Sequence, residues 1–326
     1  MHLALENTAC ERAITVQGIL DTLRGFPLLE TLLIVDLGVS QDPTHDQSPV
    51  CLPKLRSIEL DSNEVRCGLI PYLQFSPDVT AGFRGMFLKD VWGDVSLVVV
   101  AAMQHVLGRM DIRCVTLAVS SYNNGIAKFL VRFDGLRGSL EISTSSLYTN
   151  TELQNVLFGS RGVLFSHSPR IGNVRELHLV GSSLEDGQGF DHINVAMPNL
   201  VSISLFHCKG ANLLGVPTQA NPLSPPFSHL ERIMVLGPEP GLRGIVKARR
   251  DGGVPLKTLV VGRGPTGFGH NHLEDYTKLG ELVGDLHIGY PTEILKWGMG
   301  NEIFNIWSEI EVPGPVSPNG NLMVLS

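Results

Sequence analysis

A hydrophobic pattern, L-x-x-L-x-L, recurs along this chain at intervals of about 26 to 30 residues. Its spacing is that of a strand, in which alternate side chains face the same way. A repeat of this length is typical of a solenoid, because no repeat can bury its apolar side without its neighbours. The copies begin at Leu29, Leu55, Ile112, Val174, Leu200, Leu230, Leu256 and Val283.

Two wider gaps in this series each leave room for an additional repeat. The first holds a strand-like run at 79–87, and the second holds a hairpin of strands 128–133 and 139–143 with its turn at Asp134-Gly135. The sequence therefore predicts an α/β fold, a leucine-rich-repeat solenoid of about ten degenerate repeats with a curved parallel sheet and helices on the outer face. An ordinary α/β protein of alternating strands and helices is the alternative, which the near-constant interval disfavours.

The solenoid is expected to span residues 1–290, followed by a C-terminal cap and mobile tail at 291–326. Several repeats are introduced by a small turn motif, Phe26-Pro27, Leu52-Pro53 or Met197-Pro198. Proline fixes the backbone at the entry to the strand, which explains its place there. One connecting helix is predicted at 94–110.

In each repeat, the two residues that flank the second hydrophobic position should point away from the core. Stacked repeats would align them into two columns across the sheet. These columns mix acids, hydroxyls, histidines and an arginine, so they fit the polar surface of a partner protein. The alternative is that they are simply solvated. The candidate partner-binding residues are Glu59, Glu176, His178, Arg232, Asp285 and His287.

The bulk composition narrows the classes of function. A net charge of −7 disfavours nucleic-acid binding through phosphate contacts. The longest apolar run, 97–103, is too short to span a bilayer, which argues against a membrane role. The cysteines have no paired spacing and the N-terminus has no signal-peptide pattern, so a cytoplasmic or nuclear location is expected. The basic run Lys247-Ala-Arg249-Arg250 is interpreted as a solvated helix face.

Two motifs resemble sites but lack the required surroundings. Gly262-x-Gly264-x-x-Gly267 follows a strand, yet Pro265 intervenes where a dinucleotide site needs a helix to begin. His270 and His272 have no third and fourth ligand at metal-binding spacing. We therefore expect no catalytic residue, cofactor or metal, and no enzymatic activity.

The sequence also resembles a family of leucine-rich-repeat proteins from mushroom-forming fungi, usually described as F-box proteins. Leu52-Pro-Lys-Leu-Arg-Ser-Ile-Glu-Leu60, Pro255-Leu-Lys-Thr-Leu-Val-Val-Gly262, Leu273-Glu-Asp-Tyr-Thr-Lys-Leu279 and Glu302-Ile-Phe-Asn-Ile-Trp307 carry the resemblance. In that family an N-terminal F-box binds the ubiquitin-ligase adaptor and the repeats hold a substrate. The chain resembles the repeat half alone and no F-box precedes Leu29, so it is not expected to bind the adaptor.

The leading hypothesis is a protein-binding module whose concave sheet holds an unknown protein. By resemblance, it would be the substrate-receptor half of an F-box ubiquitin-ligase subunit that lacks the F-box itself. One alternative is a nucleotide-binding enzyme that uses the turn from Gly262 to Gly267. Another is a non-functional relic of a duplicated family.

Overall fold

The structure of the chain is a computed structural model. It describes residues 1–6, 14–35, 39–40, 48–61, 68–85, 97–121, 127–146, 171–181, 193–206, 227–236, 242–262 and 278–289. Several predicted features lie outside these residues. They are the start of the helix at 94–110, the glycines at 264 and 267, the histidines at 270 and 272, and the cap and tail at 291–326.

Short strands dominate the described residues. The strands are β1 His2–Glu6, β2 Ile14–Thr15, β3 Thr31–Val35, β4 Val39–Ser40, β5 Val50–Leu52, β6 Ser57–Asp61, β7 Leu73–Phe75, β8 Thr80–Arg84, β9 Ile112–Ser121, β10 Ala127–Gly135, β11 Ser139–Ser146, β12 Glu176–Val180, β13 Ser202–Phe206, β14 Arg232–Leu236, β15 Thr258–Gly262 and β16 Asp285–Gly289. The longer helices are α1 Val16–Arg24, α2 Leu97–Leu107 and α3 Leu242–Asp251, with 3-10 turns at Ile70–Tyr72 and Ile171–Asn173.

Twelve of these strands form one large, mostly parallel sheet, in the order β1-β3-β6-β8-β11-β10-β9-β12-β13-β14-β15-β16. Two small parallel pairs, β2–β4 and β5–β7, stand apart from it. The prediction of an α/β fold built on a parallel sheet is therefore confirmed. Contacts divide the chain into a first unit of Met1–Val115, Leu130–Ser146 and Asn155–Val174, and a second unit of Thr116–Phe129, Leu147–Gln154 and Arg175–Ser326.

The strand register reproduces the repeat register in the second unit. Leu177, Ile203, Ile233 and Leu259 lie side by side on β12 to β15, and equivalent positions also pair on β16. The prediction that these leucine-type positions are buried is confirmed, since all four are 0% exposed. Each fully buried aliphatic side chain stabilises the fold by about 1.5–3 kcal/mol. The first positions from Leu29 to Leu256 are also buried.

The predicted proline turns are present and have a defined geometry. In each turn, the carbonyl of the residue before proline accepts a hydrogen bond from the N–H three residues later. The N–H of Leu29 donates to the carbonyl of Phe26 at 3.0 Å, and that of Leu200 donates to the carbonyl of Met197 at 3.2 Å. Proline at the second position favours this turn because its φ is already set. The carbonyl of Arg175 then accepts bonds from the N–H groups of both Val201 and Ser202, so consecutive strands start in register.

The first unit adds elements to the predicted ones. Strand β1 pairs in parallel with β3 and lies before the first predicted repeat. Residues 80–84 of the run predicted at 79–87 form β8, and β10 and β11 form the predicted hairpin. Its turn is shifted from the predicted Asp134-Gly135, because β10 continues through Gly135 and the loop is 136–138. Gly138 has a φ of +75°, and a Cβ there would lie 2.4 Å from the carbonyl oxygen of Val79, so only glycine fits.

Helix α2 confirms the described part of the helix predicted at 94–110, and Ala102 and Val106 on its predicted apolar face are buried. Side chains from this helix and the turn that follows it contact the backbone of strand β7. His105 Nε2 lies 2.8 Å from the carbonyl oxygen of Leu73, and Arg109 donates to that of Phe75 at 2.9 Å. In the described part of the chain, no helix has the length and apolar character needed to cross a membrane.

The interpretation of the basic run as a solvated helix face is wrong for Arg249. Lys247 and Arg250 on α3 are exposed, but Arg249 is buried. Its guanidinium donates to the carbonyl oxygens of Phe227 at 3.1 Å and Leu230 at 2.8 Å. Arg249 therefore joins α3 to the turn that introduces β14, and burial lowers its pKa.

Candidate functional site

Two rows of side chains run across the face of β12–β16 opposite the buried leucines; we call them together the polar face. The outer row contains Glu176, Ser202, Arg232, Thr258 and Asp285, and the inner row contains His178, Ser204, Met234, Val260 and His287. The parallel register places members of each row next to one another. The sequence predicted these columns, because the strand period and the repeat period together determine which residues become neighbours.

A cavity of about 290 Å³ opens on the polar face. It brings together three of the six predicted residues, Glu176, His178 and Arg232. Ser202 and Ser204 line it as well, so hydroxyl groups lie beside the charged groups. The rest of the lining is Val201, Glu231, Met234, Lys257 and Thr258.

The other three predicted residues do not line this cavity. Asp285 and His287 lie on β16, where Asp285 is exposed and His287 is half-buried. Glu59 belongs to the first unit and forms an ion pair with Arg84 on the next strand, with 2.9 Å between Oε1 and Nη2. The structure therefore narrows the candidate site to the part of the polar face on β12–β15.

The expectation that His178 is a surface residue is wrong. Its exposed fraction is 6%, and that of Ser204 beside it is 2%. The inner row continues through Met234 and Val260, which are also buried. Strands inside a parallel sheet commonly bury both faces. The apolar Met234 and Val260 are the sequence signal that could have predicted this.

Burial sets the charge state of His178. Loss of solvent, and secondarily the positive charge of Arg232, lower its pKa to about 4. The Glu176 carboxylate lies 3.8 Å from Nε2 and favours protonation, but its side chain is 58% exposed and is screened by water. We therefore treat His178 as a neutral imidazole near pH 7.

Glu231 and Lys257 form an ion pair at the rim of the cavity, with 2.6 Å between Oε1 and Nζ. Both residues stand one position before a strand, so they lie just outside the alternating pattern used to predict the columns. Aligning the repeats one position earlier would have revealed them, since Leu230 and Leu256 are each followed directly by a charged residue.

His178 should make the stability of the chain depend on pH. Its pKa is about 4 when folded and about 6.5 when unfolded, so the unfolded chain takes up the proton first as the pH falls. Above about pH 6.5 His178 is neutral in both states and the fold has its full stability. As the pH falls from about 6.5 towards 4, the free energy of unfolding decreases by about 3 kcal/mol in total. Urea unfolding between about pH 7.5 and pH 4 measures this change.

The matched control is His178→Gln, which cannot titrate but keeps a polar side chain of similar length. Glu176 and Arg232 remain in both proteins, so their contributions cancel in the comparison. The free energy of unfolding should fall less with acidification in the variant than in the natural chain. Equal pH dependence in both proteins would show that His178 is not the titrating group.

The polar face can form hydrogen bonds and ion pairs with another polar surface. Its inner row is buried at His178, Ser204, Met234 and Val260, and its outer row carries charges of both signs. The chain matches no protein-family model and no curated protein. The geometry of the polar face is therefore the structural basis for inferring a function.

Proposed function

We propose that the chain is a protein-binding module of the leucine-rich-repeat type and that its polar face binds a partner protein. One observation carries the proposal. The register of β12–β15 aligns equivalent residues of successive repeats, and these residues surround a polar cavity. In a solenoid of stacked repeats, such aligned positions form an extended surface suited to a protein partner.

The charges of the cavity favour a protein over a nucleic acid. Glu176 and Glu231 lie at the same opening as Arg232 and Lys257, so the lining has two acids and two bases. A phosphate backbone needs an excess of basic residues, whereas a protein surface can match charges of both signs. The net charge of −7 points the same way.

The cavity is small for a ligand site. Sites for drug-sized ligands and cofactors extend from about 300 Å³ to about 1,000 Å³. At about 290 Å³, this cavity lies at the lower end of that range, and one side chain of a partner can also fill it. By resemblance to the fungal F-box proteins, we propose further that the partner is a protein recognised for ubiquitination.

Exchanging the charges of one ion pair tests the proposal. The double variant Glu231→Lys with Lys257→Glu keeps the pair but reverses the charges that a partner meets. Both side chains are largely exposed, at 46% and 70%, so we expect a melting temperature within about 2 °C of the natural chain. Recovery of a partner identified by affinity capture and mass spectrometry should fall at least about tenfold, because like charges then face each other.

The first unit supplies a matched control, the exchange Glu59→Arg with Arg84→Glu. This pair is also partly exposed, with side-chain exposures of 36% and 61%, and lies outside the cavity. The control should retain the partner. If the partner survives the exchange at Glu231 and Lys257 but is lost on the exchange at Glu59 and Arg84, the polar face is not the binding surface.

A further inference from the structure

The outer row of the polar face carries charges of alternating sign. Glu176 on β12, Arg232 on β14 and Asp285 on β16 lie in one register, with Ser202 on β13 and Thr258 on β15 between them. From β12 to β16 the row therefore reads negative, neutral, positive, neutral, negative. This order is the same from either end, so a segment that crosses the strands can run in either direction.

These charged side chains reach solvent, unlike the buried inner row. The side chain of Glu176 is 58% exposed, Asp285 is exposed, and Arg232 is half-buried where it lines the cavity. His178 lies 3.8 Å from the Glu176 carboxylate, but its lowered pKa keeps it neutral near pH 7, so the negative charge of Glu176 is not cancelled. A partner can therefore meet the outer row without reaching the inner row.

The spacing of the charges follows from the sheet. Neighbouring strands lie about 4.7–4.9 Å apart, so charges on every second strand are separated by roughly 9.5 Å. The neutral positions between them hold the hydroxyl side chains of Ser202 and Thr258, which are half-buried and can bond to a segment lying above them. A complementary segment therefore needs a cation, an anion and a cation, each about 9.5 Å from the next.

We propose that the outer row binds a segment of the partner protein in which basic, acidic and basic side chains alternate at this spacing. Opposite charges then face each other at Glu176, Arg232 and Asp285, whereas any other order in the same register brings like charges together. Glu231 and Lys257 neutralise each other at 2.6 Å, so this pair does not alter the order required. The inference rests on the proposed function and deepens it, because it specifies the chemistry of the partner.

Short proline-rich peptides test this spacing without the natural partner. A polyproline II helix has three residues per turn and rises 3.1 Å per residue, so every third side chain points the same way, about 9.3 Å from the last. The capped peptide Lys-Pro-Pro-Glu-Pro-Pro-Lys, here the matched peptide, therefore fits the row. Its control, Lys-Pro-Glu-Pro-Pro-Pro-Lys, has the same composition and net charge, but its glutamate points to another side. Fluorescence anisotropy with the full chain at physiological ionic strength should show at least about tenfold tighter binding of the matched peptide.

A charge switch on the protein tests whether the peptide lies on the outer row. Asp285→Lys changes an exposed side chain, so the variant should keep the melting temperature of the natural chain. Its charges then read negative, positive, positive along the row. The variant should prefer Lys-Pro-Pro-Glu-Pro-Pro-Glu over the matched peptide about tenfold, and the natural chain should have the opposite preference.

Asp251→Lys is the matched control for this switch. It makes the same change of net charge in the same unit, but Asp251 is the last residue of α3 and is not part of the row. The variant should keep the preference of the natural chain, because the peptide reads the local order of charges rather than the net charge of the protein.

Three results would overturn the inference. Equal binding of the matched peptide and its misspaced control would show that the row does not select this spacing. A preference that Asp285→Lys leaves unchanged, or that Asp251→Lys switches equally, would place the peptide elsewhere. Absence of saturable binding of the matched peptide up to about 1 mM would show that the row takes no such segment. These measurements do not use the natural partner, whereas the exchange at Glu231 and Lys257 does, so the two proposals fail separately.

Discussion

Leu205→Asp is expected to unfold the second unit. Leu205 is 1% exposed and lies between Leu179 and Val235 in the sheet register. Leu→Ala at such a site costs about 2–5 kcal/mol, and an aspartate adds the cost of burying a polar or charged group. The total is comparable to the whole stability of a typical domain, about 5–15 kcal/mol. Thermal unfolding followed by circular dichroism should show that the transition is lost or greatly lowered.

Val195→Asp is the matched control for this experiment. Val195 also belongs to the second unit, but it is 80% exposed. The same change of chemistry should therefore alter stability by no more than about 0.5 kcal/mol. A normal melt for Leu205→Asp would mean that the assigned register of β13 is incorrect.

Arg249→Met should produce the second largest loss of stability. The methionine retains much of the aliphatic volume but removes both bonds to the carbonyl oxygens of Phe227 and Leu230. Each bond involves a charged donor, so we expect a loss of about 4 kcal/mol. The carbonyl of Phe227 keeps the bond that it accepts from the N–H of Leu230, so the loss comes from the two guanidinium bonds themselves. Urea unfolding should measure the lower free energy of unfolding.

Two variants separate this effect from a general loss of charge. Lys247→Met removes an exposed charge from the same helix and should change stability by no more than about 0.5 kcal/mol. Arg249→Lys keeps the charge but loses the forked geometry that reaches two carbonyls, so it should fall between the other two. If Arg249→Met behaved like Lys247→Met, the guanidinium would not join α3 to the turn before β14.

Much of the fold was accessible from the sequence because its signals are local. The leucine-type positions from Val174 to Val261 follow a strand alternation within each repeat and a fixed period between repeats. The turn at Met197-Pro198 depends on only four consecutive residues. Period and alternation together predicted that Glu176, Ser202 and Arg232 would be neighbours, and the register confirms it.

The candidate site was predicted less completely, because the missing parts depend on how distant segments meet. Glu231 and Lys257 pair across neighbouring strands only because the bonds at each strand entry align the residues that precede β14 and β15. The alternating pattern did not include those positions. Strand β1 was missed for another reason, since 2–6 is a single short segment without a preceding turn motif.

The sequence by itself determined which side chains face each other along the sheet, because that order follows from two periods written in the chain. Only the tertiary structure decided which of them are buried. His178 and Arg249 are polar residues that sequence reasoning places at the surface, yet both are enclosed by neighbouring strands and turns. Burial depends on the packing of segments far apart in sequence. It determines the charge state of His178 and allows Arg249 to join α3 to the turn before β14.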